Sequence, residues 1–372
     1  RTPALFNSRG TNSKLETRNS KLFHLQSAIE GFPMRFEFYH DGLEGVPKLS
    51  VDGLVPNSVH LTHWQGNETP AELRADTSTE IALNLVASPR RAELTRGVGL
   101  VTNNHFDTDG VLSVWTVLAG ERALAHREML VAAAEAGDFS EFTTPQAVRA
   151  NICIQGGDDP LAGEGVGSPL ARHLAGGDVS DEARAYELVL PEVERVLTRT
   201  DEYEPLWRGA WAATEAALES FARGASRVEE DAGAGLSVVT LAAGLFGPGG
   251  FDPARHAVPY TAVSRHARGL LYLVAVPMRG GWGYRLDYPY YSWAVTVVRP
   301  RVERRDFAPL VERLNRAETG RGRWKLDGGE LTSAVKFVGD GGHLAASRLE
   351  PDAVAAELRG AAVSSFGFRV SS

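Results

Sequence analysis

Cysteine is all but missing from this chain: Cys153 is the single one among 372 residues. An intrachain disulfide is therefore impossible, and so is a zinc site built from paired cysteines. Its context, ANICIQ, predicts a buried strand carrying a structural thiol. No apolar run reaches the roughly 18 residues that a membrane span needs, and no apolar secretory segment is visible near the start. Both absences point to a cytoplasmic protein without a membrane partner. Positive charge is in deficit, with 39 Lys and Arg against 47 Asp and Glu and a net charge of −8. Duplex nucleic acid is thereby disfavoured as a partner, because neutralising many phosphates takes a basic surface. Walker-type loops and G-x-S-x-G elbows are also lacking, so ATP-driven and serine-nucleophile chemistry have no signature here. Internal repeats, heptads and low-complexity tracts are absent as well.

What remains is an ordinary globular composition, 43% apolar and 23% charged, in a chain long enough for two or three domains. Residues 1–33 are polar and weakly periodic and read as a leader or an appended segment, with Met34 opening the strand-like MRFEFY. SVHLTHW (58–64) and GVGLVTN (97–103) read as strands, and DTSTEIALNLVA (76–87) as a helix capped by Thr77 or Asp76. VLSVWTVLA reads as a helix buried on both sides, and HREMLVAAAEAGDF (126–139) as one ended by Gly137. Two amphipathic runs cover 181–200 and 203–225. Pro191 should divide the first, and Trp207 and Trp211 fall at core positions of the second. Beyond about residue 233 the texture turns β-branched and aromatic, with LSVVTLAAG, GLLYLVAVP and YYSWAVTVVRP as strands and helices at 307–318 and 350–360. The expected architecture is α/β: a parallel-sheet N-terminal domain (34–180), a helical connector (181–232) and a smaller mixed α/β C-terminal domain (233–372).

The chemistry concentrates in HFDTDG (105–110), at the end of a strand and the start of a helix. Ligands in open α/β sheets sit at the carboxyl ends of the strands. Asp107 and Asp109 are two residues apart, so in extended chain both face one side. Carboxylates that close repel one another unless a cation or a proton lies between them. His105 is a natural third ligand, and an N,O donor set suits manganese, iron or zinc better than calcium. Gly110 lets the chain turn tightly into the helix. The competing reading is a loop in which an aspartate merely caps the helix. Further ligand candidates are His60 and His63 in HLTHW, Asp76 in ADTSTE, and Asp138 at the end of the following helix, enough for a pair of metals. In the C-terminal half, VGDGGHLAASRLEP (338–351) places a glycine-rich turn before His343. Gly341, Gly342 and His343 could receive an anionic group, with Arg348 as a weaker clamp. A metal half-site and an anion half-site on separate domains describe a cleft that closes on substrate.

HFDTDG resembles the first metal motif of the DHH phosphoesterases, and GDGGHLAAS is similar to the glycine-histidine segment of their associated C-terminal substrate domain. The resemblance implies a parallel α/β domain and two Mn2+ ions that activate water against a phosphoester, with Zn2+, Fe2+ or Mg2+ as alternatives. It makes His105, Asp107 and Asp109 metal ligands, assigns catalysis to His105, Asp109 and His343, and implies a small anionic substrate such as a nucleotide or short oligonucleotide. The Asp-His-His triplet that names the family is absent. GGDDP (156–160) has no histidine, while HLTHW and ADTSTE lie upstream of the motif rather than downstream. A metallohydrolase acting on C–N or C–O bonds and a non-catalytic nucleotide-binding protein remain as alternatives.

Overall fold

A computed structural model describes residues 34–157, 166–328 and 332–365, with side chains described as far as Gly360. Residues 1–33 and most of the 156–169 loop lie outside the described residues. The first sheet is four-stranded and wholly parallel: β1 (Arg35–Phe36), β2 (Lys48–Val51), β3 (Ser58–Leu61) and β4 (Leu100–Thr102), in the order β1-β4-β2-β3. The helices that follow are α1 (Ser78–Ala87) and α2 (Arg91–Leu94) before β4, then α3 (Thr108–Ala119), α4 (Glu121–Leu124), α5 (Arg127–Asp138) and α6 (Pro145–Gln155). Thr77 caps α1 by accepting from Glu80 N, as the sequence suggests. Gly137 does not end α5, which runs one residue further and so delivers Asp138 at its tip. ANICIQ is helical rather than extended: Thr144 caps α6 and Pro145 occupies its first turn, and Cys153 is buried on it.

The expected connector is not a separate body. After α7 (Pro169–Ala175), which contributes Leu170, the connector's helices α8 (Glu182–Val189), α9 (Val193–Thr198) and α10 (Glu204–Ala222) contribute Tyr186, Val189, Val196, Trp207 and Trp211 to the same core as the first sheet. Pro191 divides the first run as expected, sitting in a single 3-10 turn between α8 and α9.

β2 and β3 are neighbouring parallel strands joined by residues 52–57 alone. Parallel neighbours ordinarily need a crossover of a dozen residues or more. Here the strands are four residues long, about 13 Å, so a short extended return suffices. The tight reversal puts Asp52 and Asn57 in the left-handed region, at φ 46° and 54°, which Asp and Asn tolerate better than most residues. The lower end of the return is held by Lys48. Its buried ammonium donates to the carbonyls of Leu43, Glu44, Val46 and Asn57.

The second sheet has six strands, in the order β5-β6-β7-β8-β10-β9: β5 (Arg227–Asp231), β6 (Leu236–Thr240), β7 (Leu271–Met278), β8 (Gly281–Asp287), β9 (Arg323–Leu326) and β10 (Ser333–Val338). Only β6 and β7 run parallel. Alternate residues of β7 face opposite cores: Leu271, Leu273 and Ala275 meet α12 (Ala308–Ala317) and α13 (Pro351–Ser365), while Tyr272, Val274 and Val276 meet α11 (Tyr260–His266) and Phe251. YYSWAVTVVRP is not a strand. It forms one 3-10 turn at Tyr290–Trp293 and then a strap, bent at 294 and at 297–299, that leaves this sheet and lies on the first domain. No helix among the described residues is long and apolar enough to cross a membrane.

Trp211 is 4% exposed, and with Trp207 it sandwiches the Arg149 guanidinium at 4.6 and 4.4 Å. Trp211→Ala should cost about 3–5 kcal/mol of stability, read as a lower denaturant midpoint. An unchanged midpoint would show that α10 is not part of the first core.

Candidate metal centre

The parallel sheet delivers its functional residues at the carboxyl ends of three strands. Asp52 follows β2, His63 follows β3, and His105, Asp107 and Asp109 follow β4; Asp138 arrives from the tip of α5. The side chains form two adjoining groups, Asp52–His63–Asp109–Asp138 and Asp52–His105–Asp107, with Asp52 common to both. In the first, His63 Nε2 lies 3.1 Å from Asp138 Oδ2, 3.5 Å from Asp52 Oδ1 and 3.9 Å from Asp109 Oδ2. In the second, His105 Nε2 lies 3.0 Å from Asp107 Oδ2 and 3.2 Å from Asp52 Oδ2. Donors about 2.1 Å from one shared cation are themselves roughly 3.0–3.5 Å apart, so most of these spacings match the edges of a coordination shell.

Both imidazoles are held in the tautomer a metal requires. His63 Nδ1 is 2.6 Å from the Asp76 carbonyl. A carbonyl only accepts, so Nδ1 carries a proton and Nε2 is the nitrogen that faces the carboxylates, free to bind a cation once it gives up its own proton. His105 Nδ1 likewise meets Asn104 Oδ1 at 3.1 Å. His63 Nε2 and Asp52 Oδ2 are buried and have no aligned hydrogen-bond partner. Two orphaned polar atoms pointed at each other's neighbours are costly, and a cation among them removes the cost.

The same carboxylates are also tied into the fold. Asp109 Oδ2 and Oδ1 accept from Ser78 N and Thr79 N at the start of α1, both at 2.7 Å. Asp107 Oδ1 caps α3 through Gly110 N at 2.8 Å, so the capping role and the ligand role fall to different oxygens of one carboxylate. Asp52 Oδ1 accepts from Ser78 Oγ and Trp64 Nε1. From behind, Tyr186 Oη donates to the His105 carbonyl, and Glu182 accepts from Phe106 N. Gly110 is required less for a turn than for space. A Cβ there would come within 2.5 Å of Asn103 Nδ2 and 2.7 Å of Tyr186 Oη.

Charge follows from this crowding. Burial, then the neighbouring Asp52, raises Asp109 to about 7. Burial and the nearby Asp107 raise Asp138 well above its ordinary range. Burial alone would raise Asp52 too, but His105 and His63 outweigh it and hold Asp52 at about 2. Burial would lower His63, yet Asp138, Asp109 and Asp52 raise it to about 10. Without a cation the imidazoles have to carry the positive charge themselves. Four carboxylates with neutral imidazoles carry a formal charge of −4, which a pair of divalent cations balances.

Five of the residues singled out in the sequence converge here: His63, His105, Asp107, Asp109 and Asp138. His60 does not. Its Nδ1 accepts from Glu68 N and closes the 64–68 turn, because a strand residue three before His63 faces elsewhere. Asp76 is not a ligand either. Its carboxylate accepts from the backbone N–H groups of Val297, Val298 and Arg299 and from the Arg299 guanidinium. Gly341, Gly342, His343 and Arg348 are exposed and lie away from the metal group. They sit near the start of β8, where Trp282 pairs with Ser347, whereas the strap toward the first domain leaves from its end at Asp287. None of the four belongs to either candidate metal group among the described residues. The residue that sequence reasoning missed is Asp52, the shared ligand. Its one visible signal is KLSVDG, an aspartate and a glycine directly after a short apolar run.

The chain belongs to a family of unknown function, DUF6687, whose model matches residues 34–359. No curated protein and no solved structure matches the chain.

The metal-free protein should lose stability as pH rises. With Asp109 at about 7, the folded state keeps a proton that the unfolded chain gives up near 4, so stability falls between about 4 and 7. His63, raised to about 10, gives a contribution complete below about 6.5 and lost as pH climbs through 10. Asp52 acts in the opposite sense, but only as pH falls toward 2. Melting curves with and without Mn2+ should therefore diverge more at pH 8 than at pH 5. An equal gap at both would mean that the cation does not replace these protons.

Proposed function

We propose that this chain is a divalent-metal-dependent phosphoesterase that hydrolyses a small phosphorylated or nucleotide substrate in the cytoplasm. The observation that carries the reading is Asp52: a buried carboxylate shared by two histidine-containing groups, with one oxygen left without a hydrogen-bond partner. A shared carboxylate of this kind suits a two-metal site, and manganese fits the N,O donor set. The resemblance of HFDTDG to the first DHH motif supports the reaction class. Asp52 and His63, from strands upstream of the motif, take the place that the missing triplet would fill.

Two divalent cations bound here would lower the pKa of a coordinated water and offset charge on the phosphoryl oxygens. The protein's own part is to fix the donors and to leave one side open. His63, Asp52 and Asp109 are almost wholly buried, whereas the His105 and Asp107 side chains keep 25% and 24% of their exposure. Substrate therefore approaches over His105 and Asp107, with the Trp64 ring 5.3 Å from the His105 ring at the rim. The α1 amides that hold Asp109 keep its carboxylate in place through turnover.

Full-length protein, stripped with chelator and reloaded with Mn2+, should release product from bis(p-nitrophenyl) phosphate or from short oligonucleotides. Asp52→Asn and Asp107→Asn should each reduce that rate by on the order of 100-fold or more, with metal content falling in parallel and far-UV circular dichroism unchanged. A protein that holds two ions tightly yet cleaves no phosphoester on the panel would overturn the assignment.

A further inference from the structure

His63 donates its backbone N–H to Ser78 Oγ of the first domain at 3.4 Å, but its carbonyl, one edge of its ring and the acceptor of its Nδ1 are held, directly or through one residue, by the second domain. The Val295 N–H donates to the His63 carbonyl at 2.7 Å. The Trp293 ring meets the His63 ring edge-on at 4.9 Å. Gln65, two residues further on, donates from Nε2 to the Trp293 carbonyl. The acceptor that fixes the His63 tautomer is the carbonyl of Asp76, whose carboxylate is gripped by three successive strap N–H groups and by Arg299. Arg299 also reaches Glu141 and Glu135, the latter on α5, the helix that ends in Asp138. The strap thus touches the supports of two ligands of one group, His63 and Asp138. The other group has different supports. His105 and Asp107 are buttressed by Asn104, Tyr186 and Gly110, all within the first domain, and the strap reaches this group only through Trp64, whose ring meets Trp293 edge-on at 5.7 Å and His105 at 5.3 Å.

We propose that residues 293–299 of the second domain form the outer shell of one of the two cation positions, so that the Asp52–His63–Asp109–Asp138 position is complete only when the strap is docked, while the Asp52–His105–Asp107 position, whose own supports lie in the first domain, depends on it far less. The inference rests on the metal reading above and adds an asymmetry to it. Outer-shell partners of a metal-bound imidazole fix its orientation and basicity, and their loss typically weakens metal binding 10–100-fold. Asp76 and Trp293 are positioning residues in this scheme. Neither offers an atom to either group.

The test is a Mn2+ titration of the metal-stripped full chain, following free Mn2+ by electron paramagnetic resonance and heat by calorimetry. Wild type should take up two ions. Asp76→Asn, which keeps the backbone carbonyl but weakens the clamp, and Trp293→Ala should each keep one ion at wild-type affinity and bind the second at least about 10-fold more weakly. Trp293→Phe, which retains an aromatic edge against the imidazole, should restore the second. Circular dichroism melts would identify a variant that fails to fold, and the other variant then decides. Two ions at wild-type affinity in the folded variants would overturn the proposal, as would equal weakening of both. A wild type that binds no ion would remove both this proposal and the metal reading. Two ions without hydrolysis would leave the asymmetry standing and remove only the phosphoesterase.

Discussion

Mutual repulsion among Asp52, Asp107, Asp109 and Asp138 is the constraint that the rest of the first domain answers. They crowd around two imidazoles where little water reaches, and bare anions cannot persist there. Part of the answer is local. The α1 N-terminus takes both oxygens of Asp109, and the α3 N-terminus takes one oxygen of Asp107. The remainder is left to something positive at the centre: protons on the histidines or, on the reading proposed above, metal ions. A core of tightly packed helices, α1 against α3 and α3 against α5, supplies the stiffness that keeps like charges from drifting apart.

The legible part of this arrangement was the part written in one stretch of chain. HFDTDG brings three ligands within five residues, at a strand end and ahead of a helix, and the periodic runs on either side announce both elements. Asp138 was reachable because it closes a clear helix, and His63 because a second histidine drew attention to the same strand. Asp52 was not, because it follows a four-residue strand and takes up a backbone conformation that only the unusually short β2–β3 return demands. Asp76 was misread for the opposite reason. It stands where a cap or ligand is expected, and its true partners are more than two hundred residues away on the strap. YYSWAVTVVRP misled similarly, since β-branched composition describes a chain that must lie extended without saying which surface it lies on.

The two domains are therefore less separable than their sheets suggest. One buried guanidinium, Arg299, meets Asp76, Glu135 and Glu141 together and stacks over Phe139 at 4.8 Å. Its burial works against its charge, and Glu141 and Glu135 more than offset that, holding it firmly protonated. Tyr260 and Asp287 bond to each other within the second domain beside this junction, and Ser264 donates across it to the Ser140 carbonyl.

The return between β2 and β3 carries a consequence of a different kind. Its six residues have just enough reach to bring the chain back beside β2, with the caged Lys48 ammonium at one end and Asp52 at the other. A Cβ on Gly53 would come within 2.5 Å of Asn104 Oδ1, so even the first step is fixed by its neighbour. Although Leu54 and Pro56 lie at the surface, the segment has no slack. One residue more or fewer would shift β3, and with it His63, against Asp52, which closes this loop to the length variation that surface loops usually absorb.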